Sequence, residues 1–444
     1  MSTRPTERAP RRLAVVRSAA VLAVGTLALT ACGQAEEPDA GAASATTADP
    51  DAPAEIRFSW WGADVRHERH EHIIEMFEAE NPNIDVVPDF TDFAGYWDKL
   101  ATTTAGGDTP DVFMQEDRYL REYADRGVLM DLSELDIPTD DLDPTLLSAG
   151  EIDGGLYGIP TGSNVHSVLI NPAIFQAAGV EVPDDTTWTW DDYVETAQQI
   201  TANSPEGVYG ASDSTATEVP FMVYLRQHGQ NLYDEDGSLG YDDELLVEWF
   251  QRSLDLQASG GQPPASVALG LPAGQTLLAT NRAAMEITWS SGLGLNSDAA
   301  GTQMDILRMP GESEFERTGM YFKPGMYMSV SADTEYPDAA ARFIDYFINS
   351  VEVGERVLSD LGLPANTEVL AAIEDKLTPN EQIAAEFIAD LQDEIIDAPP
   401  SMPVGAGEVQ GILQRINEEV LFERMTPEQA AQQFRTEVES VIGG

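Results

Sequence analysis

Phe58-Ser59-Trp60-Trp61-Gly62, Tyr96-Trp97-Asp98-Lys99-Leu100, Ala105-Gly106-Gly107-Asp108-Thr109-Pro110-Asp111-Val112 and Gln115-Glu116-Asp117-Arg118-Tyr119 punctuate the stretch that decides the fold. Between them the pattern reads strand, helix, strand, helix, strand. Residues 55–60 alternate as a first strand. Residues 67–80 place Ile73, Ile74 and Phe77 at helical spacing, and Asn81-Pro82-Asn83 stops that helix. A second strand is predicted at 84–87, a helix at 96–104 ended by Gly106-Gly107, and a short buried strand at 112–114. Such alternation makes an open α/β sheet, whose ligands sit outside the carboxyl ends of the strands. Aromatic and acidic side chains cluster at those ends. A ring offers its face to the apolar CH surface of a polyhydroxylated ligand, and carboxylate oxygens accept from its hydroxyls.

Outward from this stretch, residues 119–125 read as a helix closed by Gly127, and 131–143 as an acidic loop or short helix. Strands at 156–159 and 165–170 flank Pro160-Thr161-Gly162-Ser163-Asn164, a turn where the chain could leave a first lobe. A second α/β series follows. It has helices at 173–178, after Thr187-Trp188-Thr189-Trp190-Asp191, at 221–228, 243–258 and 275–281, and strands at 209–212, 284–289 and 306–309. Strand 326–330 and an amphipathic helix at 337–347 come next; the remainder is helical to 441, interrupted at 398–407. There is no internal repeat.

The first residues read as an address. Arg4, Arg8, Arg11, Arg12 and Arg17 precede an apolar run, 18–30, shorter than the roughly 20 residues a membrane span needs. Leu29-Thr30-Ala31-Cys32-Gly33 resembles a bacterial lipobox, which would make 1–31 a signal peptide and Cys32 a lipidated N-terminus; the alternative is an ordinary signal peptide with an incidental cysteine. Cys32 is the only cysteine, so no internal disulfide can form. Residues 32–54 are rich in Ala, Asp, Glu, Pro, Ser and Thr and read as a flexible tether. The anchor would hold the protein on the outer face of the membrane without spanning it. The chain has 444 residues, enough for two lobes, and a net charge of −53. Only Lys99, Lys323 and Lys376 are lysines. Such a surface repels nucleic acid and anionic lipid. It is either simply well solvated or adapted to a saline or alkaline medium.

With these motifs in hand the chain resembles the extracellular sugar-binding solute-binding proteins of bacterial ABC importers. The cues include the lipobox, Phe77-Glu78-Ala79-Glu80-Asn81-Pro82-Asn83-Ile84, Thr109-Pro110-Asp111-Val112, Gly155-Leu156-Tyr157-Gly158-Ile159-Pro160, Trp188-Thr189-Trp190-Asp191-Asp192-Tyr193, Arg282-Ala283-Ala284-Met285 and Leu363-Pro364-Ala365-Asn366. Each is weak singly; their order along the chain makes the signal. The resemblance implies a two-lobe, periplasmic-binding-protein-like α/β fold with hinge crossovers and a cleft between the lobes. Lobe 1 would be 55–161 plus 320–350, and lobe 2 would be 162–319 plus 351–444. The crossovers fall near Pro160–Asn164 and 319–324.

Candidate ligand contacts follow. Trp60 and Trp61 point opposite ways on a strand, so one can pack in the core while the other lines the cleft. Asp64 and Arg66 share the next loop, where Arg66 fits a ligand hydroxyl or carboxylate, or a surface ion pair. The resemblance puts an acid at Glu116; Gln115 and Asp117 flank it, and Asp117 could equally cap a helix. Asn164 at the first crossover can donate and accept. In lobe 2 the resemblance points to Trp289, Ser290 and Ser291, with Glu218 and Phe221 on the far wall; Tyr327 follows the second crossover. Tyr96 and Trp97 suit core packing, and Trp188 and Trp190 the start of their helix.

The reading is a receptor, not an enzyme, needing no cofactor or resident metal. A monomer, tethered at Cys32, would capture a sugar or oligosaccharide and deliver it to a permease pair served by a cytoplasmic ATPase. No GxxxxGK[ST] loop occurs in the sequence. The alternative is a secreted glycoside hydrolase, which needs two carboxylates about 5–10 Å apart; acids are too abundant here for such a pair to be diagnostic. His67, His70 and His72 could suggest a metal, but a solvated helix face explains them as well.

Overall fold

A computed structural model describes residues 52–443, apart from 273–274, 312–313, 316 and 396. The proposed signal peptide, Cys32 and nearly all of the tether lie outside the described residues.

Two sheets organise the chain. The first runs in the order Ile84–Thr91, Ala54–Trp61, Val112–Gln115, Tyr327–Val330, Ile159–Pro160. Its first three strands are parallel, as the helices Asp64–Glu80 and Phe93–Ala105 between them require. Tyr327–Val330 returns antiparallel beside Val112–Gln115, with Tyr327 opposite Gln115. The apolar residues at helical spacing meet the sheet as their period dictates: Ile73, Ile74 and Phe77 are all buried. The second sheet runs Asp305–Leu307, Gly162–Ile170, Ala283–Trp289, Tyr209–Ala211, with helices packed on it.

The link between the sheets differs from the turn expected at 160–164. Gly162–Ile170 is one continuous strand. Its first residues pair with Phe322–Pro324 and with Leu363–Pro364, and its later residues join the second sheet. Crossovers at 162–165 and 322–324 and the segment 363–364 are therefore hydrogen-bonded side by side. Close approach at this point needs glycine: a Cβ on Gly325 would lie 2.0 Å from the Leu361 carbonyl oxygen, and one on Gly162 would lie 2.6 Å from the same atom.

Two further expectations are corrected. Residues 351–376 are expected in the second lobe, yet the helix Val351–Val357 packs on Asp64–Glu80 and Pro337–Asn349, and Thr367 N donates to the Asp141 carbonyl. Beyond the paired segment Leu363–Pro364 at the crossover, the chain packs on the second lobe from Pro379–Leu391, which contacts Gly292–Ala300 and Asp305–Leu307. The helix expected at 275–281 is a turn. Thr276 Oγ1 accepts from Ala279 N, and Asn281 takes a left-handed φ of 56°. Short polar side chains that bond nearby backbone offer this alternative to a helix.

Candidate functional site

The strand Val112–Gln115 ends at the face between the sheets, and the helix Asp117–Asp125 starts there. Glu116 at the junction, Asp117 in the first turn and Arg118 one residue on are thereby delivered together. Lys323 comes from the second crossover, its backbone paired with Asn164. Glu218 comes from the start of the helix Glu218–Gln227, which packs on the helices Asp243–Ala258 and Val409–Leu421. These five groups form one network. Lys323 Nζ lies 3.0 Å from Asp117 and 3.8 Å from Glu116. Arg118 lies 3.4 Å from Glu116 and 3.7 Å from Glu218, and it donates to Gln410 at 2.8 Å.

Burial governs the electrostatics. It pushes the Glu116 carboxyl above its ordinary range; Lys323 and Arg118 pull against this, while Asp117 and Glu218 add to it. Burial also raises Glu218, against the pull of Arg118. Burial alone would lower Lys323, but Asp117 and Glu116 more than offset it and leave its pKa raised. The ammonium sits 5.4 Å from the Trp289 ring centre, and His166 meets the same ring edge-on at 4.1 Å. Burial and then Lys323 lower His166 to about 3, so it is neutral.

Several polar atoms here are buried without a partner: both amide atoms of Gln115, Glu116 Oε2, Glu218 Oε2, Arg118 Nε and His166 Nδ1. Buried polar groups are normally satisfied, so such a cluster is where a ligand or water would bond. Alongside lies a cavity of about 440 Å³. The helix Asp117–Asp125 lines it with Asp117 and Arg121, the strand Tyr327–Val330 with Tyr327, the second crossover with Tyr321 and Lys323, and the C-terminal part of the chain with Ser401. That volume falls within the range of small-molecule sites.

The structure therefore brings Glu116, Asp117, Glu218 and Trp289 to one place, with Gln115 buried at the end of the strand that leads into Glu116 and Asn164 on the crossover beside Lys323. Other candidates lie elsewhere. Trp60 is 0 % exposed; its ring stacks on Phe58 and its Nε1 donates to His67 Nδ1 at 3.1 Å, so it belongs to the lobe core. Trp61 is nearly buried and packs on Phe93, Tyr96 and Trp97. Arg66 is taken by Asp360 at 2.8 Å, which Arg69 also contacts at 2.9 Å, so it is no free ligand donor. Asp64 is exposed at a helix start. Phe221 is fully buried against Tyr241 and Trp249. Ser290 is buried, its Oγ accepting from Val165 N. Tyr327 is buried too, its hydroxyl donating to the Ala149 carbonyl, although it lines the cavity.

Sequence reasoning missed Arg118, Lys323 and His166. Lys323 carried a signal, being one of three lysines and lying in the expected second crossover. Of the histidines, His70 is buried against Phe58 and Trp60, His67 stacks on Phe90 at 4.2 Å, and His72 pairs with Glu75.

Two α/β lobes joined by a strand-paired hinge, with a buried polar cluster between them, are the architecture of a two-lobe binding protein. The chain belongs to the bacterial extracellular solute-binding protein family, whose profile matches residues 57–352. It is 30 % identical over 223 residues to an arabinooligosaccharide-binding protein of Halalkalibacterium halodurans, covering 47 % of each chain. It is 25 % identical over 343 residues, 73 % of each chain, to an uncharacterized lipoprotein of Streptomyces antibioticus. The fold superposes on a family 1 extracellular solute-binding protein of Alicyclobacillus acidocaldarius with a TM-score of 0.71, at 25 % identity, covering 88 % of this chain and 99 % of that one. The chain spans about half the length of the first curated relatives it matches. Among the described residues no helix is long and apolar enough to cross a membrane.

Proposed function

We propose that this protein captures a sugar or oligosaccharide between its lobes and hands it unaltered to an ABC permease driven by a cytoplasmic ATPase. It works as a monomer outside the cell, held to the membrane by lipid at Cys32, and performs no covalent chemistry. The observation that carries the reading is the set of buried, unpartnered atoms on Glu116 and Glu218, and on Gln115 next to Glu116 in the chain, joined by the charge network to Asp117 and Lys323, which line a cavity. Carboxylate and amide oxygens of this kind accept from hydroxyls, and the Trp289 face beside them offers apolar area to a pyranose. Family membership and the oligosaccharide-binding relative support the same reading. Gln115, Glu116, Asp117, Asn164, Glu218 and Trp289 are the proposed contacts. The lobes divide at 161–165, 320–324 and, by the packing of 351–376, near 377. Ligand would favour the closed arrangement of the lobes, which the permease recognises.

A thermal-shift screen of the full chain against oligosaccharides tests this. A ligand at a hundred times its Kd adds about 2.7 kcal/mol of stability. Labelled oligosaccharide recovered intact after incubation supports a receptor; cleavage products would mean a hydrolase instead.

A further inference from the structure

Among the described residues, the cleft cations Lys323, Arg118 and Arg121 each face an acid. Lys323 faces Asp117 at 3.0 Å and Glu116 at 3.8 Å; Arg118 faces Glu116 at 3.4 Å and Glu218 at 3.7 Å. Arg121, on the cavity wall, faces Asp153 at 3.5 Å and also donates to Ser401. Arg66 and Arg69, nearby on the first helix, are both engaged by Asp360. In the buried network three carboxylates stand against two cations. Two further acids, Glu151 and Glu235, line the cavity. The unpartnered atoms lean the same way. Gln115 Oε1, Glu116 Oε2 and Glu218 Oε2 are acceptors awaiting donors, and the spare donors Gln115 Nε2 and Arg118 Nε are not the free guanidinium fork that binds a carboxylate.

We infer that the glycan taken by this cleft is uncharged, and that uronic-acid sugars are excluded from it. The inference rests on the proposed reading of the cleft as a sugar site and adds the chemical class. A hydroxyl satisfies each vacant acceptor without adding charge. A uronate would have to break an existing pair to find a cation, and would sit among carboxylates in a medium that screens them poorly.

The test is calorimetric titration of the full chain with neutral tetrasaccharides, with tetragalacturonate and with glucosamine oligomers. The expected result is saturable binding of at least one neutral oligosaccharide and binding of tetragalacturonate weaker by about a hundredfold or more, the size of one poorly screened like charge a few ångström away. Replacing both Glu116→Gln and Asp117→Asn frees Lys323 and should tighten the binding of tetragalacturonate itself by about tenfold or more, a gain in absolute affinity that neither misfolding nor lost contacts to a neutral sugar can imitate. Should the double variant not fold, the ratio in the natural chain still decides. Tetragalacturonate bound as tightly as the neutral sugars overturns the inference while leaving the sugar site standing, as does binding confined to glucosamine oligomers. Binding of none of the sugars overturns the reading beneath it as well.

Discussion

Replacing Glu218→Gln should stabilise the unliganded protein at neutral pH, and the gain should vanish in acid. Glu218 is 4 % exposed; one oxygen has no partner, and the other is 3.7 Å from Arg118. That distance is too long for a good hydrogen bond, so the charge is desolvated with little return. The amide has nearly the same shape and no charge. Arg118 is not orphaned by the change, since Glu116 and Gln410 still hold it. Relief of one poorly paired buried acceptor is worth about 1–3 kcal/mol, which in a chain of this size raises Tm by a few degrees, on the order of 2–4 °C per kcal/mol or less. The pH dependence has a definite sign. Burial, against the pull of Arg118, holds the folded-state pKa of Glu218 above its ordinary value. A group so raised contributes its favourable protonation below the unfolded pKa of about 4.3 and loses it as pH rises through the folded pKa. Glutamine does not titrate, so its advantage is absent at pH 4 and complete once pH exceeds the folded pKa. Differential scanning calorimetry of both proteins from pH 4 to pH 8 measures this. A variant less stable than the natural chain at pH 7, or a difference that does not change with pH, would refute the reasoning.

Trp60→Ala should cost about 3–5 kcal/mol in denaturant unfolding, because a fully buried indole stacked on Phe58 leaves a cavity, whereas Trp289→Ala should chiefly weaken sugar binding. Lys323→Met should destabilise by about 1–3 kcal/mol, by leaving the partly buried Glu116 and Asp117 side by side without their ammonium; equal stability to the natural chain would contradict the network. Asp360→Asn should lower stability at pH 7 but not in strong acid. Burial raises the Asp360 pKa, but hydrogen bonds from Arg66 and the charges of Arg66 and Arg69 more than reverse this, so its contribution is present above about 3.9 and lost as pH falls through the depressed folded value. Thermal unfolding should shift upward between low and molar salt if the −53 charge is a saline adaptation, and a flat response would remove that idea.

The strand–helix succession of 55–125 was legible because period and stop signals agree: Ile73, Ile74 and Phe77 bury as their spacing requires, and Asn81 stops the helix. Glu116 and Asp117 were legible because the end of a short buried strand puts side chains at a sheet edge whatever the rest of the chain does. The roles of Lys323 and Arg118 were not: Lys323 meets Glu116 and Asp117 from more than two hundred positions away, and Arg118 reaches Glu218 a hundred positions on, pairings that leave no local pattern. Trp60 and Trp61 show the limit of parity. Opposite directions on a strand did not mean one wet and one dry, because helices cover both faces of this sheet and bury both rings to within a few per cent. The fate of Arg66 was hidden for a similar reason, as its partner Asp360 is 294 positions away.

Three passages of backbone run against one another where the lobes join, close enough that Gly162 and Gly325 meet the Leu361 carbonyl with no room for a methyl group. A pivot built this way behaves as a laminated strip rather than as three loose threads. Its ladder hydrogen bonds resist sliding of one passage past another, so bending at the joint is confined to an axis across the three strands. It also makes the joint intolerant of ordinary side chains. An alanine at Gly325 would pry the strip apart and alter how readily the two halves shut while every group that touches cargo stayed unchanged.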